Sequence, residues 1–402
     1  MNPSEQNPIS PISNNDEKPA RQFRSIKDLI DFASGKSITN NMEQMGDSII
    51  TELLPFPFLA VVGQFEMKLA LLIGLINPNI NGILLVGPRG TGKTTAVRSL
   101  LGLLPQTERS SCYYGCLPED VETSGIDAIC PDCAKKYAEG HPLVISDQVR
   151  LIELPLNARL DDVVGGIDER TVIHERMRIK RGILAQADKN LLYIDEINLL
   201  NNEITDAILD ASAQGIYTVR RGPISATYKA RFVLIGSMNP EEGKLRPQIL
   251  DRFGLRVIVR GLETAEERLE AYKRVQAYLT NPREVINDYA QEIKSISAEI
   301  IEARKRLKYV KIPENLALQA INLIQNMGID SLRSEITWFE AARAYAAADG
   351  RNIVNVSDLI IVGPMTLRLR RSNFINNFFE QQKSEEDELI YLLNKFDNIT
   401  QL

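Results

Sequence analysis

Short, mostly apolar runs recur through the first two thirds of the chain and alternate with amphipathic or polar stretches. The runs lie at residues 83–86, 149–154, 191–194, 232–235 and 257–259. Runs of this length are typical of strands that are buried on both faces of a sheet. Because helical or loop segments separate them, the pattern predicts a mostly parallel sheet covered by helices.

From about Thr264 onward the apolar positions recur with helical spacing instead. The helices predicted in this part span residues 265–280, 282–308, 313–327, 331–349 and 356–370. Another helix, of about Gln64 to Leu75, is predicted after the prolines at 55 and 57, since proline favours a break before a helix. The chain therefore combines an α/β part with a helical part that follows it.

The two ends of the chain differ from this pattern. Residues 1–20 are rich in Asn, Pro and Ser, and we expect them to be disordered. Weakly amphipathic helical stretches at 25–33 and 41–54 follow, without a readable function. The tail, 372–402, carries an acidic run at 385–388 that indicates the start of a solvated helix.

Composition narrows the class of protein. The chain has 402 residues, 44% of them hydrophobic, which is enough for two packed domains. Its net charge of −6 argues against broad, sequence-independent binding of nucleic acid. No apolar run is as long as a membrane span, and the N-terminus resembles neither a signal peptide nor a transit peptide. We expect a cytoplasmic protein, and its two histidines exclude a multi-histidine metal site.

The first apolar run leads into a phosphate-binding pattern. Residues 87–94 read G-x-x-x-x-G-K-T, and residues 95–101 are predicted to form a helix. Glycines let the backbone N–H groups converge on an anion, Lys93 adds positive charge beside the outer phosphates, and the Thr94 hydroxyl suits Mg²⁺. The N-terminus of the following helix also favours phosphate. The alternative is a chance glycine-rich turn, but the order of strand, loop and helix favours the nucleotide motif.

Two further runs end in polar residues. The run at 191–194 ends in Asp195 and Glu196, and the run at 232–235 leads to Asn239. Asp195 suits the Mg²⁺ shell, and Glu196 suits polarising the water that attacks the γ-phosphate. Asn239 suits a hydrogen bond to the γ-phosphate or to the attacking water. Strand ends that share a sheet edge lie near the phosphate loop. The alternatives are an ordinary acid pair and an Asn-Pro turn.

Two arginines are candidates for stabilising a developing phosphoryl charge. Arg252 lies in the loop segment Leu250-Asp251-Arg252-Phe253-Gly254, and Arg333 begins a helix of the C-terminal half. A planar guanidinium suits this task. Spacing alone does not distinguish either residue from a random surface arginine.

All four cysteines lie between the phosphate-loop helix and the run at 149–154. They read Cys112-x₃-Cys116 and Cys130-x₂-Cys133. Two close pairs with this separation have metal-ligand spacing, and four thiolates suit a structural Zn²⁺. Structural disulfides are rare in the cytosol. Reactive or unpaired thiols and an iron–sulfur cluster are the alternatives.

Taken together, these motifs resemble the AAA+ ATPases, and most closely the ATPase subunit of magnesium chelatase. The similarity covers residues 57–371. Besides the phosphate loop, the matching segments are 61–64 at the mouth of the adenine pocket, 154–158 and 162–165 before the helix-two insert, 193–200 at Walker B, 237–243 at sensor 1, 245–254 at the arginine finger, and 331–333 with 341–344 around sensor 2.

The resemblance implies a role for each site residue. The phosphate loop would consist of Gly87, Pro88, Arg89, Gly90, Thr91, Gly92, Lys93, Thr94 and Thr95, with Val62 and Gly63 beside the adenine. Thr94 and Asp195 would hold the Mg²⁺ of ATP, Asp195 and Glu196 would be the Walker B pair, and Asn239 would be sensor 1. Arg252 would be the finger that reaches the neighbour's nucleotide. Arg333 would be sensor 2, acting from the lid or across the subunit boundary.

The resemblance also implies an architecture. Residues 1–56 would be an N-terminal extension, 57–262 an α/β AAA+ P-loop domain with a parallel sheet flanked by helices, 263–371 an all-α linker and lid, and 372–402 a tail. A hairpin that faces the pore or a partner subunit is implied within 210–231. An arginine finger implies a homo-oligomeric ring, expected to be a hexamer, with each ATP between two copies.

The function implied is a motor subunit that hydrolyses ATP. Its partner chelatase subunits would insert Mg²⁺ into a porphyrin. One Trp and the lack of a histidine cluster fit a motor without a pigment pocket of its own. Known members carry a shorter acidic loop where this chain has a four-cysteine insert at about 105–148. The alternatives are therefore a remodelling ATPase acting on a von Willebrand-type metal-binding partner, and a cobalt-chelatase-type motor.

Overall fold

The computed structural model describes residues 54–112, 115–166, 180–222, 224–243 and 245–370. The predicted disorder of residues 1–20, the helical stretch at 25–33 and the acidic tail lie outside these ranges. So does the stretch at 41–54, except for Leu54.

The elements alternate between strands and helices as far as Ile258 and are helical afterwards. The strands are β1 Ile83–Val86, β2 Gln106–Ser110, β3 Val144–Gln148, β4 Leu151–Glu153, β5 Leu191–Ile194, β6 Ile216–Arg221, β7 Ile224–Lys229, β8 Val233–Met238 and β9 Leu255–Ile258. The helices are α1 Phe65–Ile76, α2 Lys93–Ser99, α3 Pro118–Ser124, α4 Pro131–Ala138, α5 Leu160–Val164, α6 Ile183–Gln186, α7 Asn202–Gln214, α8 Pro247–Arg252, α9 Ala265–Thr280, α10 Pro282–Asp288, α11 Ala290–Leu307, α12 Glu314–Asn326, α13 Leu332–Ala348 and α14 Val356–Leu367.

The main sheet has five parallel strands in the order β4-β5-β8-β1-β9. Ile83 of β1 lies opposite Ile235 of β8 and Leu255 of β9, and Leu191 of β5 lies opposite Val233 of β8. Every residue of β1 and β5 is buried, because helices cover both faces. The predicted parallel sheet is confirmed, and it places the ends of β5, β8 and β1 side by side.

Each face of the sheet has its own apolar core. On one face Leu85 and Tyr193 belong to a cluster with α1, α11 and α13. On the other face Leu84 and Leu192 pack with α7, which buries Ile208. Successive strand residues point to opposite faces, so each strand contributes to both cores.

Several predicted elements shift at their ends in the structure, and one predicted helix is divided in two. Residues 233–235 of the run at 232–235 begin β8, which continues through the fully buried Ser237 to Met238. The helix predicted over 282–308 is two helices that meet at Tyr289. The break lets α10 bury Val285 separately from α11, which buries Ile300 and Ala303.

Two small antiparallel pairs extend from the main sheet. The ribbon of β2 and β3 closes the cysteine-containing insert at its base, with Gln106 opposite Gln148. The pair β6 and β7 forms a hairpin within 210–231, as the resemblance implied, and leads directly into β8. In the described part of the chain, no helix is both long and apolar enough to cross a bilayer.

Candidate active site

The carboxyl ends of three neighbouring strands converge on one cavity of about 240 Å³. Its lining residues are Arg89, Gly90, Thr91, Gly92, Lys93, Thr94, Thr95, Asp195, Glu196, Ser237, Met238 and Asn239. The phosphate loop follows β1, the acid pair follows β5, and Asn239 follows β8. The sheet order β5-β8-β1 therefore brings together side chains that are far apart in the sequence.

The loop after β1 has the geometry of a backbone cradle. Gly87 passes so close to β9 that a β-carbon would lie 2.1 Å from the carbonyl oxygen of Val259. Gly92, just before α2, has a φ of 82°, which favours glycine. The buried Lys93 Nζ donates to the carbonyl oxygens of Gly87 at 2.8 Å and Pro88 at 2.7 Å. Burial lowers the pKa of Lys93, and the nearby carboxylates oppose this.

Asp195 is held by hydroxyl groups on its own and neighbouring elements. Thr94 Oγ1 lies 3.3 Å from Oδ2, and the Tyr193 hydroxyl donates to Oδ1 at 3.0 Å. Ser237 also donates to Oδ1 and accepts a hydrogen bond from the Glu196 N–H at 3.2 Å. Thr94 and Asp195 are thus positioned as oxygen ligands of the kind that Mg²⁺ prefers.

Glu196 is held by both its backbone and its side chain. Its φ of 50° is uncommon for a residue with a β-carbon, and such conformations cluster at functional sites. Its Oε1 accepts from Arg89 Nη2 at 3.1 Å. Arg89 also pairs with Glu242, whose Oε1 accepts from Asn239 Nδ2 at 3.1 Å. Both carboxylates raise the pKa of Arg89, and Glu242 has the largest effect.

A second cavity, of about 610 Å³, adjoins the first and shares the residues from Arg89 to Gly92 and Thr95. Its other walls include Val62, Leu262, Ala271 and Val275. Gly63 stands beside it with a φ of 60°, and a β-carbon there would lie 2.9 Å from Leu262 Cδ2. The pair of cavities suits a ligand with an anionic part and a flat, less polar part.

Arg252 and Arg333 lie apart from the phosphate loop. Both line a separate cavity of about 60 Å³ that shares no lining residue with either of the others. Arg252 Nη1 lies 2.8 Å from Asp210 Oδ1 on α7. Within one chain, the structure does not bring the two arginines together with Lys93 and Glu196.

Asp251 connects the arginine segment to the helical part. It accepts from Arg333 Nη1 and from Arg370 Nη1, each at 3.0 Å, and Arg256 Nη2 lies at 3.8 Å. Arg256 and Arg370 are almost wholly buried. Burial is the main cause that lowers the pKa of Arg256 to about 9, and the nearby positive charge of Arg370 contributes. One carboxylate thus has three guanidinium neighbours, so the cluster carries excess positive charge.

The four cysteines also come together. Their sulfur atoms all lie within 4.8 Å of one another, and Cys116, Cys130 and Cys133 are buried. Backbone N–H groups donate to three of the sulfurs, from Cys116 to Cys112 at 3.3 Å, from Cys130 to Cys116 at 3.2 Å and from Cys133 to Cys130 at 3.4 Å. Hydrogen bonds lower the pKa of Cys112 to about 4, and the bond with the Cys116 side chain has the largest effect. Burial raises the pKa of Cys133 to about 12.

The cysteine insert contacts the hairpin. Glu119 of α3 pairs with Lys229 of β7. Arg181 Nη2 donates to the carbonyl oxygen of Gly115 at 2.6 Å and lies 5.4 Å from the ring centroid of Tyr228. The insert is therefore docked on the element that leads into β8.

Three further residues contribute to the site without a predicted role: Tyr193, Ser237 and Glu242. A signal existed for the first two, because Tyr193 and Ser237 lie two positions before Asp195 and Asn239. Alternate residues of a strand share a face, so Tyr193 points to the same side as Asp195, and Ser237 to the same side as Asn239. Glu242 lies in a loop, where no periodicity indicates its direction.

Comparison with known proteins agrees with this geometry. The MCM P-loop domain family matches residues 165–266, and the AAA lid domain family matches residues 318–390. The magnesium-chelatase subunit ChlI homolog of Methanocaldococcus jannaschii is 38% identical over 85% of this chain and 91% of its own length. The magnesium-chelatase 38 kDa subunit of Acidiphilium rubrum is 41% identical over 78% of this chain and 90% of its own length.

Among solved structures, a chain from the complex between subunits BchI and BchD of magnesium chelatase is 38% identical. It covers 81% of this chain and 99% of that one, with a TM-score of 0.46. The two curated relatives exceed 30% identity over most of their length. The parallel sheet, the phosphate loop and the helical lid are the parts that an AAA+ ATPase requires. The chain therefore belongs to the family of magnesium-chelatase ATPase subunits.

Proposed function

We propose that the cavity at the strand ends is the site of ATP hydrolysis and that the residues predicted from the sequence carry it. Lys93 and the loop N–H groups bind the phosphates, Thr94 and Asp195 hold Mg²⁺, Glu196 polarises the attacking water, and Asn239 orients the water or the γ-phosphate. The observation that carries the proposal is the meeting of Lys93, Asp195 and Glu196 in one cavity. The second cavity, beside Val62 and Gly63, takes the adenine.

The proposed active unit is a homo-oligomeric ring, a hexamer in the simplest case. Arg252 and Arg333 lie in a cavity away from their own phosphate loop, which supports a role in the nucleotide site of a neighbouring copy. Asp251 links Arg333 to the finger segment, so both arginines reach that site from one surface. A developing phosphoryl charge at a subunit boundary requires such a cation.

The client that we propose is a chelatase complex. Relatives that share about two fifths of the aligned residues with this chain are named as magnesium-chelatase subunits or homologues of them. In this proposal the chain supplies the ATP-driven motion, and partner subunits insert the metal into a tetrapyrrole. A remodelling ATPase with a von Willebrand-type partner and a cobalt-chelatase-type motor are the outcomes that the following experiment separates.

The test supplies purified chelatase partner subunits and a free-base porphyrin. Wild-type chain with ATP is expected to drive insertion of Mg²⁺, while Lys93→Ala binds no nucleotide and drives none. The reason is that Lys93 provides the charge that the outer phosphates require. Porphyrin absorbance reports insertion, and parallel reactions with Co²⁺ identify a cobalt-type motor.

The tagged chain is also used to isolate partners from its source. Recovery of a lone von Willebrand-type protein, with no insertion of either metal, would contradict the chelatase proposal.

We also propose that Cys112, Cys116, Cys130 and Cys133 hold a structural zinc ion. Zinc–sulfur bonds of about 2.3 Å in a tetrahedron place the sulfurs about 3.8 Å apart, and a separation within 4.8 Å fits that arrangement. The backbone N–H groups that point at the sulfurs stabilise thiolates. The ion would cross-link the two Cys pairs, which come from separate turns of the insert.

Purified protein is therefore expected to contain about one zinc per chain. Cys130→Ser removes one ligand and should lower the zinc content, since three thiolates hold the ion less tightly than four. Elemental analysis that measures zinc and iron in the same sample distinguishes zinc from an iron–sulfur cluster. Wild-type protein without metal and with four titratable thiols in the native state would rule the site out.

A further inference from the structure

Tyr193 lies between the two side chains proposed to hold Mg²⁺. Its hydroxyl oxygen is 3.0 Å from Thr94 Oγ1 and 3.0 Å from Asp195 Oδ1. Thr94 and Asp195 themselves are 3.3 Å apart, between Oγ1 and Oδ2. The three groups form a closed triangle of oxygen atoms at the carboxyl end of β5.

The direction of each hydrogen bond follows from the donors available. An ionised carboxylate only accepts, so the Tyr193 hydroxyl donates its hydrogen to Asp195. Its oxygen then keeps a lone pair, which accepts the hydrogen of the Thr94 hydroxyl. That direction matters for metal binding, because Thr94 must offer a lone pair to the ion and needs another acceptor for its hydrogen. A tyrosine hydroxyl is protonated near neutral pH and can donate this hydrogen bond.

The two oxygens of Asp195 have different partners. Oδ1 accepts from Tyr193 and from Ser237, while Oδ2 faces Thr94. Donors on one oxygen fix the rotation of the carboxylate. They leave the other oxygen for the ion or for a water in its shell.

The ring of Tyr193 is only 1% exposed and packs in the core on one face of the sheet. A phenylalanine ring would fill the same space. The hydroxyl is therefore not needed for packing, and a buried hydroxyl is costly unless it is hydrogen-bonded. Here both of its partners belong to the magnesium site.

We propose that Tyr193 is a positioning residue of the magnesium site, whose hydroxyl fixes Thr94 and Asp195 in the arrangement that the ion requires. The inference rests on the proposed ATPase function and deepens it. Partners of metal ligands commonly alter metal affinity 10- to 100-fold when they are removed. The chemistry itself stays with Glu196 and the arginines.

The experiment uses the full chain with Tyr193→Phe. At saturating ATP, the Mg²⁺ concentration for half-maximal turnover is expected to rise about tenfold or more, while kcat at saturating Mg²⁺ stays near the wild-type value. An independent measurement titrates Mn²⁺ by electron paramagnetic resonance in the presence of ADP, and the dissociation constant should rise by a similar factor. Binding of ADP without metal should not change.

Tyr217→Phe is the matched control, because it removes another buried tyrosine hydroxyl, on the hairpin strand β6. It should leave the metal dependence unchanged. An unaltered Mg²⁺ midpoint in Tyr193→Phe, or a loss of turnover that excess Mg²⁺ does not restore, would overturn the inference. Failure of the ATPase proposal looks different, since the wild-type chain itself would then show no Mg²⁺-dependent turnover of ATP.

Discussion

Arg252→Ala is expected to bind ATP as the wild type does and to lower kcat by about 10³-fold or more, the range found for arginine fingers. Arg252 lines a cavity that shares no residue with its own phosphate loop. Removal of its guanidinium therefore leaves the local nucleotide site intact. The substitution removes a positive charge from beside the phosphoryl group that the next copy in the ring binds. Steady-state turnover and equilibrium binding of a fluorescent ATP analogue measure the two effects separately.

Arg246→Ala is the matched control for this variant. Arg246 precedes α8 and pairs with Asp206 of α7 at 3.3 Å, just as Arg252 at the end of α8 pairs with Asp210 at 2.8 Å. Both changes remove one partly exposed ion pair beside the same helices, and such pairs contribute little to stability. Only the Arg252 change should stop turnover. Full turnover in Arg252→Ala would show that the finger lies elsewhere.

Mixed rings make the test more specific. Lys93→Ala subunits lack nucleotide binding but keep Arg252, and Arg252→Ala subunits bind ATP but lack the finger. Each preparation alone should be inactive. In a mixture, some boundaries join an intact Arg252 to an intact phosphate loop, so turnover should reappear.

Glu196→Gln is expected to retain ATP binding and to reduce kcat by about 10²- to 10⁴-fold, as loss of a general base does. The amide has the size of the carboxylate but does not take a proton from water. Thr94 and Asp195 are unaltered, so the Mg²⁺ site persists and ATP should stay bound for long times. Single-turnover kinetics and analysis of the retained nucleotide test both parts.

Glu242→Gln is the control that decides which carboxylate acts. Arg89 pairs with both Glu196 and Glu242, and both lie near the cavity. Glu242 also accepts from Asn239, so its loss should disturb orientation but leave hydrolysis measurable. If Glu242→Gln were the inactive variant and Glu196→Gln turned over normally, the assignment would have to be exchanged.

The sequence alone predicts the sheet and most of the residues that meet in the candidate site, because both depend on local patterns. Apolar runs identify strands, and parallel strands place their polar ends along one edge. Ser237 is polar, yet it is fully buried within β8 through hydrogen bonds to Asp195 and Glu196. The break at Tyr289 was missed because helical spacing continues through it.

Other features depend on contacts between distant parts of the chain. No local pattern shows that Arg333 pairs with Asp251, or that Arg89 pairs with Glu196 across 107 positions. The meeting of the four cysteines was predictable from their spacing, because the members of each pair lie close together in the sequence. The domain bounds and the cytoplasmic location stay predictions.

The ribbon of β2 and β3 also fixes where the cysteine-containing insert joins the rest of the chain. The insert leaves the AAA+ core at Gln106 and returns beside it at Gln148, since these residues are paired. A segment whose two ends are neighbours can be lengthened, shortened or exchanged without moving the strands that surround the nucleotide. The ribbon therefore separates changes in the insert from the geometry of the ATP site.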